Sequence, residues 1–218
     1  ATLDYFYFVQ AEEFLVIQAG DGTTLPLFWD GTTLRRSIGI TNTAVAPGTP
    51  GVNEIPAATC MVYVYGRLWY AQNRTVSAGD IVAGPSGTLA YGFRDSVLQV
   101  TENPLCVGGD GFVIPSQDGT TIRALTYSAS IDAALGQGRM FISTRKAIYA
   151  LSTPITRTDW IAADVNTGPL MTVVQLTNGA VSDRSIVSVN GDLFYRSLEP
   201  GVRSLQQSVR NFTQWANP

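Results

Sequence analysis

Hydrophobic residues in this chain fall in short alternating runs, and the element they predict throughout is the β-strand. Residues Ala58 to Tyr65 (Ala-Thr-Cys-Met-Val-Tyr-Val-Tyr) are rich in β-branched and aromatic side chains. Gly66 interrupts the run, and Arg67-Leu68-Trp69-Tyr70-Ala71 resumes it. Two such runs about a glycine predict a hairpin. A sharper case lies near the C-terminus. Arg184 to Val189 alternates, Asn190-Gly191 follows, and Asp192-Leu193-Phe194-Tyr195-Arg196 continues. Asn and Gly both tolerate the positive φ that a type I′ turn needs at its two central positions, so this segment predicts a two-residue hairpin.

The pattern recurs. Gly66-Arg67-Leu68-Trp69-Tyr70, Gly138-Arg139-Met140-Phe141-Ile142 and Gly191-Asp192-Leu193-Phe194-Tyr195 each read glycine, charged, aliphatic, aromatic, large apolar. Glu12-Glu13-Phe14-Leu15-Val16 is a fourth copy without the glycine. Further strands are expected after some copies, at Leu25-Pro26-Leu27-Phe28-Trp29 and Ala147-Ile148-Tyr149-Ala150-Leu151. Repeated units of a few antiparallel strands predict an all-β fold of antiparallel hairpin repeats, β-propeller-like, with a β-sandwich or barrel as the alternative. The reading is one such domain over residues 1–218.

Three stretches break this rhythm. Thr43 to Pro56 and Asn103 to Asp110 read as loops rich in Pro and Gly, the second as an insertion. Over residues 204–215, Leu205, Val209 and Phe212 fall at i, i+4 and i+7 behind Ser204, which predicts a short amphipathic helix with Ser204 as its N-cap. Asp-Gly-Thr-Thr occurs at Asp21, Asp30 and Asp118. Asp and Gly (Gly119 in the third copy) suit a turn, and the threonines suit the strand after it.

Composition narrows the chemistry. The 218 residues are 45% hydrophobic and 14% charged, a globular profile, and contain no histidine. Without imidazole there is no Ser–His or Cys–His nucleophile pair and no His-containing zinc motif. Cys60 and Cys106 are too few for a disulfide framework or a four-cysteine metal site; buried thiols are expected, with one disulfide as the alternative. Twelve Asp and five Glu could supply paired carboxylates, yet half of the Asp sit beside Gly in apparent turns, and no calcium-loop or phosphate-loop spacing is present. No catalytic residue, metal ligand or cofactor site is therefore assigned. Formal charge is −3 with a single lysine, Lys146, against thirteen arginines. Nucleic-acid affinity comes from clustered Lys and Arg, so the chain is not expected to bind DNA. No apolar run approaches the roughly 18 residues of a membrane helix, so no membrane insertion is expected. Among the tryptophans, Trp29 and Trp69 are expected in the core, while Trp160 and Trp215 are candidates for an exposed sugar-binding surface.

Five runs occur in an order that carries a resemblance. They are Phe8 to Gln18, Gly66-Arg67-Leu68-Trp69-Tyr70-Ala71, Pro115-Ser116-Gln117-Asp118-Gly119, Gly191 to Ser197 and Gly201-Val202-Arg203-Ser204-Leu205. Together they resemble the tail nozzle (tail tubular protein B) and related tail structural proteins of short-tailed bacteriophages. The resemblance implies a propeller-containing subunit of a homo-oligomeric ring, six-fold in that family. Such a ring sits in the virion tail, is assembled in the host cytoplasm, and has adaptor and fibre proteins as neighbours. DNA passes through it in transit and is not bound. Its motif residues would be structural: Gly66, Arg67, Trp69, Asp118, Gly119, Asn190, Gly191, Phe194, Arg196, Gly201 and Arg203. Family members are several times longer, which implies that this chain is a segment of a longer tail protein or a reduced relative. The alternative function is a carbohydrate- or receptor-binding β-module of a tail fibre.

Overall fold

In the computed structural model, strands β1 (Phe6–Ala11), β2 (Phe14–Ala19), β3 (Leu27–Trp29) and β4 (Leu34–Arg36) pair antiparallel in that order as a first sheet. A second sheet holds β5 (Cys60–Val64), β6 (Arg67–Gln72), β7 (Thr75–Asp80) and β8 (Phe112–Val113). A third holds β9 (Ile122–Tyr127), β10 (Met140–Thr144), β11 (Ile148–Ser152) and β12 (Leu170–Gln175). The fourth is three-stranded: β13 (Ile186–Val189), β14 (Asp192–Arg196) and β15 (Val202–Ser204). The residues described are 6–11, 14–37, 39, 55–64, 67–80, 112–114, 119–128, 140–152, 170–175 and 178–205. Apart from one 3-10 turn at Asp183–Ser185 and a helical Leu205, the regular structure among them is all strand. Every sheet is a meander of consecutive strands, the strand order of a propeller blade, and none closes into a barrel among the described residues.

The repeated sequence pattern has one structural meaning. Its four copies form β2, β6, β10 and β14, each the second strand of its sheet. The aliphatic and large apolar positions of each copy are buried (Phe14 and Val16, Leu68 and Tyr70, Met140 and Ile142, Leu193 and Tyr195). The residue between them points to the opposite face, because side chains alternate along a strand.

The chain divides into two compact units, Ala1–Pro115 with Thr156–Gly168, and Ser116–Ile155 with Pro169–Pro218. In the first unit, Ala11, Phe14, Val16 and Phe28 of the first sheet pack with Met61, Leu68 and Tyr70 of the second. The second sheet buries its other face as well, where Cys60, Trp69, Ala71 and Val76 are covered. In the second unit, Ala124 and Ile148 of the third sheet pack with Leu193 and Tyr195 of the fourth and with Leu205, just past its last strand. The third sheet also buries Leu125, Met140, Ile142 and Leu151 on its opposite face.

The hairpin at Asn190-Gly191 forms as the sequence predicts. Val189 pairs with Asp192, and the two intervening residues have φ of 52° and 79°. Valine at Gly191 would hold a β-branched side chain in the left-handed region, at a cost of about 1–2 kcal/mol. Gly191→Val should lower the thermal midpoint clearly more than Gly191→Asn, since Asn tolerates that conformation; equal effects would contradict the turn assignment.

The Asp-Gly-Thr-Thr segments at Asp21 and Asp30 are turns closed by their own carboxylates. The N–H groups of Thr23 and Thr24 donate to Asp21 Oδ1 at 2.9 and 2.8 Å, and the Thr24 hydroxyl donates to Oδ2 at 2.7 Å. At Asp30 the N–H groups of Thr32 and Thr33 donate to Oδ1 at 2.8 and 2.7 Å. Gly22 and Gly31 supply the positive φ, 69° and 100°. The donated N–H of Thr24 first, then its hydroxyl, holds Asp21 far below its ordinary value of 3.8, and the N–H of Thr33 lowers Asp30 likewise. A carboxylate whose folded pKa is depressed contributes stability above its unfolded pKa and loses it as pH falls through the folded value. The stability difference between the protein and Asp21→Ala should therefore be flat from neutral pH to about pH 5 and shrink below about pH 4. Thermal unfolding across that range checks it, and a difference that grows on acidification would contradict it.

Two sequence expectations change. Trp29 is not in the core: Phe28 takes the inward position of β3, and alternation turns Trp29 outward, where it is 43% exposed. The strand expected from Leu25 begins at Leu27. Ser204, the expected helix N-cap, ends β15 opposite Phe194 and is followed by a helical Leu205; the rest of the predicted helix, 206–215, lies outside the described residues. Most of the first loop (43–54) and all of the second (103–110) also lie outside them, as do Gly66, Cys106, Asp118, Trp160 and Trp215.

Candidate functional surface

Among the described residues, no group of three His, Cys, Asp or Glu side chains could hold a metal ion. The described motif residues lie in strands and turns. Trp69 is 1% exposed, and its indole N–H donates to the Val64 carbonyl at 3.3 Å. Arg67 opens β6 in register with Val64 and Asp80. Cys60 is a buried thiol. Gly119 is exposed, with φ of 70°.

The fourth sheet brings six motif residues together: Asn190, Gly191, Phe194, Arg196, Gly201 and Arg203. Asn190 and Gly191 make the first turn. Gly201, with φ of 102°, sits in the connection from Arg196 to Val202, the last register pair of β14 and β15. Buried Ser197 organises that connection. Its hydroxyl accepts the Arg203 Nε–H at 3.0 Å and the Glu199 N–H at 3.2 Å. The Arg203 guanidinium also forms an ion pair with Glu199. Arg203 thus fastens a hairpin loop.

What sequence reasoning missed is a surface. In an antiparallel sheet, residues paired in register share a face. On the first sheet, the pairs Phe8↔Ile17, Ile17↔Leu27, Leu15↔Trp29 and Trp29↔Leu34 place these residues on the face opposite the core, with Phe6 beside them. Phe6, Phe8, Trp29 and Leu34 are exposed there, and Leu15, Ile17 and Leu27 are half-buried. On the fourth sheet, Val187↔Phe194, Val189↔Asp192 and Arg196↔Val202 define the outer face. Val187, Val189, Phe194 and Val202 are exposed on it. Both sheets are therefore apolar on two sides but covered on one. Adjacent apolar residues of opposite parity, Phe6-Tyr7-Phe8-Val9 and Leu27-Phe28-Trp29, were the available signal.

No family model matches the chain, and no curated protein or solved structure matches it. Among the described residues no helix is long and apolar enough to cross a membrane.

Proposed function

We propose that the chain is a structural subunit of a bacteriophage tail, acting by assembly into a ring of the nozzle type through which DNA passes, without catalysis. The observation that carries this reading is the pair of open apolar sheet faces. Monomeric proteins rarely leave large contiguous apolar patches in water, and such patches mark association surfaces. The blade-like meanders and the ordered motifs agree with a propeller-containing tail protein. Net charge of −3 with one lysine suits a conduit that lets DNA pass without holding it. Adaptor and fibre proteins would be its neighbours in the virion.

Negative-stain class averages of the purified chain test this. Closed rings with an axial opening are expected; a uniform field of single compact particles would overturn the reading.

One observation favours the carbohydrate-binding alternative. Trp29 is exposed on the same sheet face as Phe8, and exposed aromatics on a sheet face are surfaces on which sugar rings stack. Under that reading Trp29 fluorescence responds to millimolar glycans and is silent in Trp29→Ala; a flat response across a glycan panel removes it.

A further inference from the structure

The dipeptide Asn-Gly occurs twice in this chain, at Asn178-Gly179 and Asn190-Gly191, and the structure holds the two copies in opposite ways. In this dipeptide the backbone nitrogen of glycine can attack the side-chain carbonyl carbon of asparagine, because a residue without Cβ leaves that nitrogen unshielded. We propose that Asn190 is a site of spontaneous covalent modification, deamidating through a cyclic imide, while Asn178 is protected by its packing. The Gly191 nitrogen forms a bond to Asn190 Cγ and gives up its proton, and Nδ2 leaves as ammonia. Water then opens the imide at either carbonyl. One product is aspartate; the other is isoaspartate, in which the chain runs through the former side chain. The inference goes beyond the assembly reading and does not depend on it.

Imide closure requires the asparagine side chain and the following peptide to rotate onto one another. At Asn190 that rotation is local. Asn190 and Gly191 are the two loop residues of a hairpin, beyond its last register pair Val189↔Asp192, and Asn190 is exposed with φ of 52°. Turning this loop moves no core side chain. At Asn178 it would. The nitrogen that would attack carries the Gly179 N–H, which donates to the Arg145 carbonyl at 3.0 Å. The next N–H, of Ala180, donates to the Ser143 hydroxyl at 2.7 Å, and Ala180 itself is buried with Leu193 and Tyr195. The Thr144 carbonyl oxygen fills the space where a Gly179 Cβ would stand, 1.9 Å from that position, so the peptide has no room to turn. Conversion at Asn190 has two consequences. It adds one carboxylate to a chain whose formal charge is −3. Isoaspartate also inserts a backbone carbon into a turn that needs two residues of positive φ. The inserted carbon displaces the Gly191 carbonyl, which accepts the Ser128 hydroxyl at 2.9 Å and so ties this turn to the end of the third sheet's β9.

Peptide mapping by mass spectrometry of the full chain, incubated in mildly alkaline buffer, tests the assignment. Trypsin separates the two sites, since Arg184 and Arg196 bracket Asn190 while Arg157 and Arg184 bracket Asn178. The same incubation in concentrated urea gives each dipeptide its rate without structure. Divided by that reference, the folded rate at Asn190 should exceed that at Asn178 at least about tenfold, because two hydrogen bonds must break before Gly179 can turn. Methyl transfer by an isoaspartate-specific methyltransferase identifies the isoaspartate product. Equal protection at the two sites, stronger protection at Asn190, or no conversion at Asn190 in folded chain would overturn the proposal. The converted fraction, isolated by its added charge, should melt below Asn190→Asp, which carries the same charge without the extra backbone carbon. Equal midpoints would overturn the release of the turn. None of these readouts requires copies of the chain to associate, so the assembly reading stands or falls separately.

Discussion

Alanine at Gly179 should destabilise the unit holding the third and fourth sheets by about 3 kcal/mol, the upper part of the range for forced overpacking. A Cβ there would lie 1.9 Å from the Thr144 carbonyl oxygen and 2.8 Å from that of Ala147. Both are backbone atoms that cannot swing aside. The Thr144 N–H donates to the Ala147 carbonyl at 2.9 Å, and the Thr144 hydroxyl accepts the Ala147 N–H at 3.0 Å, which pins the β10–β11 turn. The chain at Gly179 is pinned as well: its N–H donates to the Arg145 carbonyl at 3.0 Å, and the Ala180 N–H donates to the Ser143 hydroxyl at 2.7 Å. Relief of the clash would break these bonds and draw Ala180 away from Leu193 and Tyr195 in the core. Gly31→Ala is the control. Its Cβ meets open space, so only the strain of φ 100° remains, about 1–2 kcal/mol. Urea unfolding of both variants checks the ordering, and a Gly179→Ala midpoint at or above that of Gly31→Ala would contradict it.

Removing the Trp69 side chain should cost about 3–5 kcal/mol, the usual penalty for truncating a large buried aromatic to alanine. Trp69 sits in the middle of β6, in register with Val62 on β5 and Ala78 on β7, on a face where Cys60, Ala71 and Val76 are also buried. The second sheet is packed on both sides, so its strands cannot collapse into the space without losing contacts on the other face. Trp69→Phe removes less volume and should recover more than half of the loss. Thermal unfolding followed by far-ultraviolet circular dichroism measures both. A Trp69→Ala midpoint close to that of the parent would mean that this face is not a core.

Local chemistry was legible in the sequence, and the coverage of faces was not. Asn190-Gly191 could be read because two adjacent residues determine a type I′ turn whatever surrounds them. The repeated glycine-charged-aliphatic-aromatic pattern could be read as a strand, and it marks the same strand in four sheets because the alternation is intrinsic to the strand itself. Trp69 was read as core from its apolar neighbours, but the same reasoning failed at Trp29. There Leu27, Phe28 and Trp29 are all apolar, and only the packing of Phe28 against the second sheet decides which face is inside. Asn178-Gly179 carries the same dipeptide as the hairpin turn, yet its glycine is required by the approach of a distant turn, which no local signal encodes. The clasp of Arg203 on Ser197 and Glu199 is similarly a product of loop closure. The exposure of Phe8 and Trp29 on the first sheet and of Val187 and Val202 on the fourth depends on which face packs, which alternation along a strand does not encode.

The central claim is that this chain works by associating with copies of itself, and native mass by light scattering on the purified chain tests it most directly. The account predicts a discrete multiple of 23.4 kDa that persists on dilution. A mass of 23.4 kDa at every concentration would contradict it.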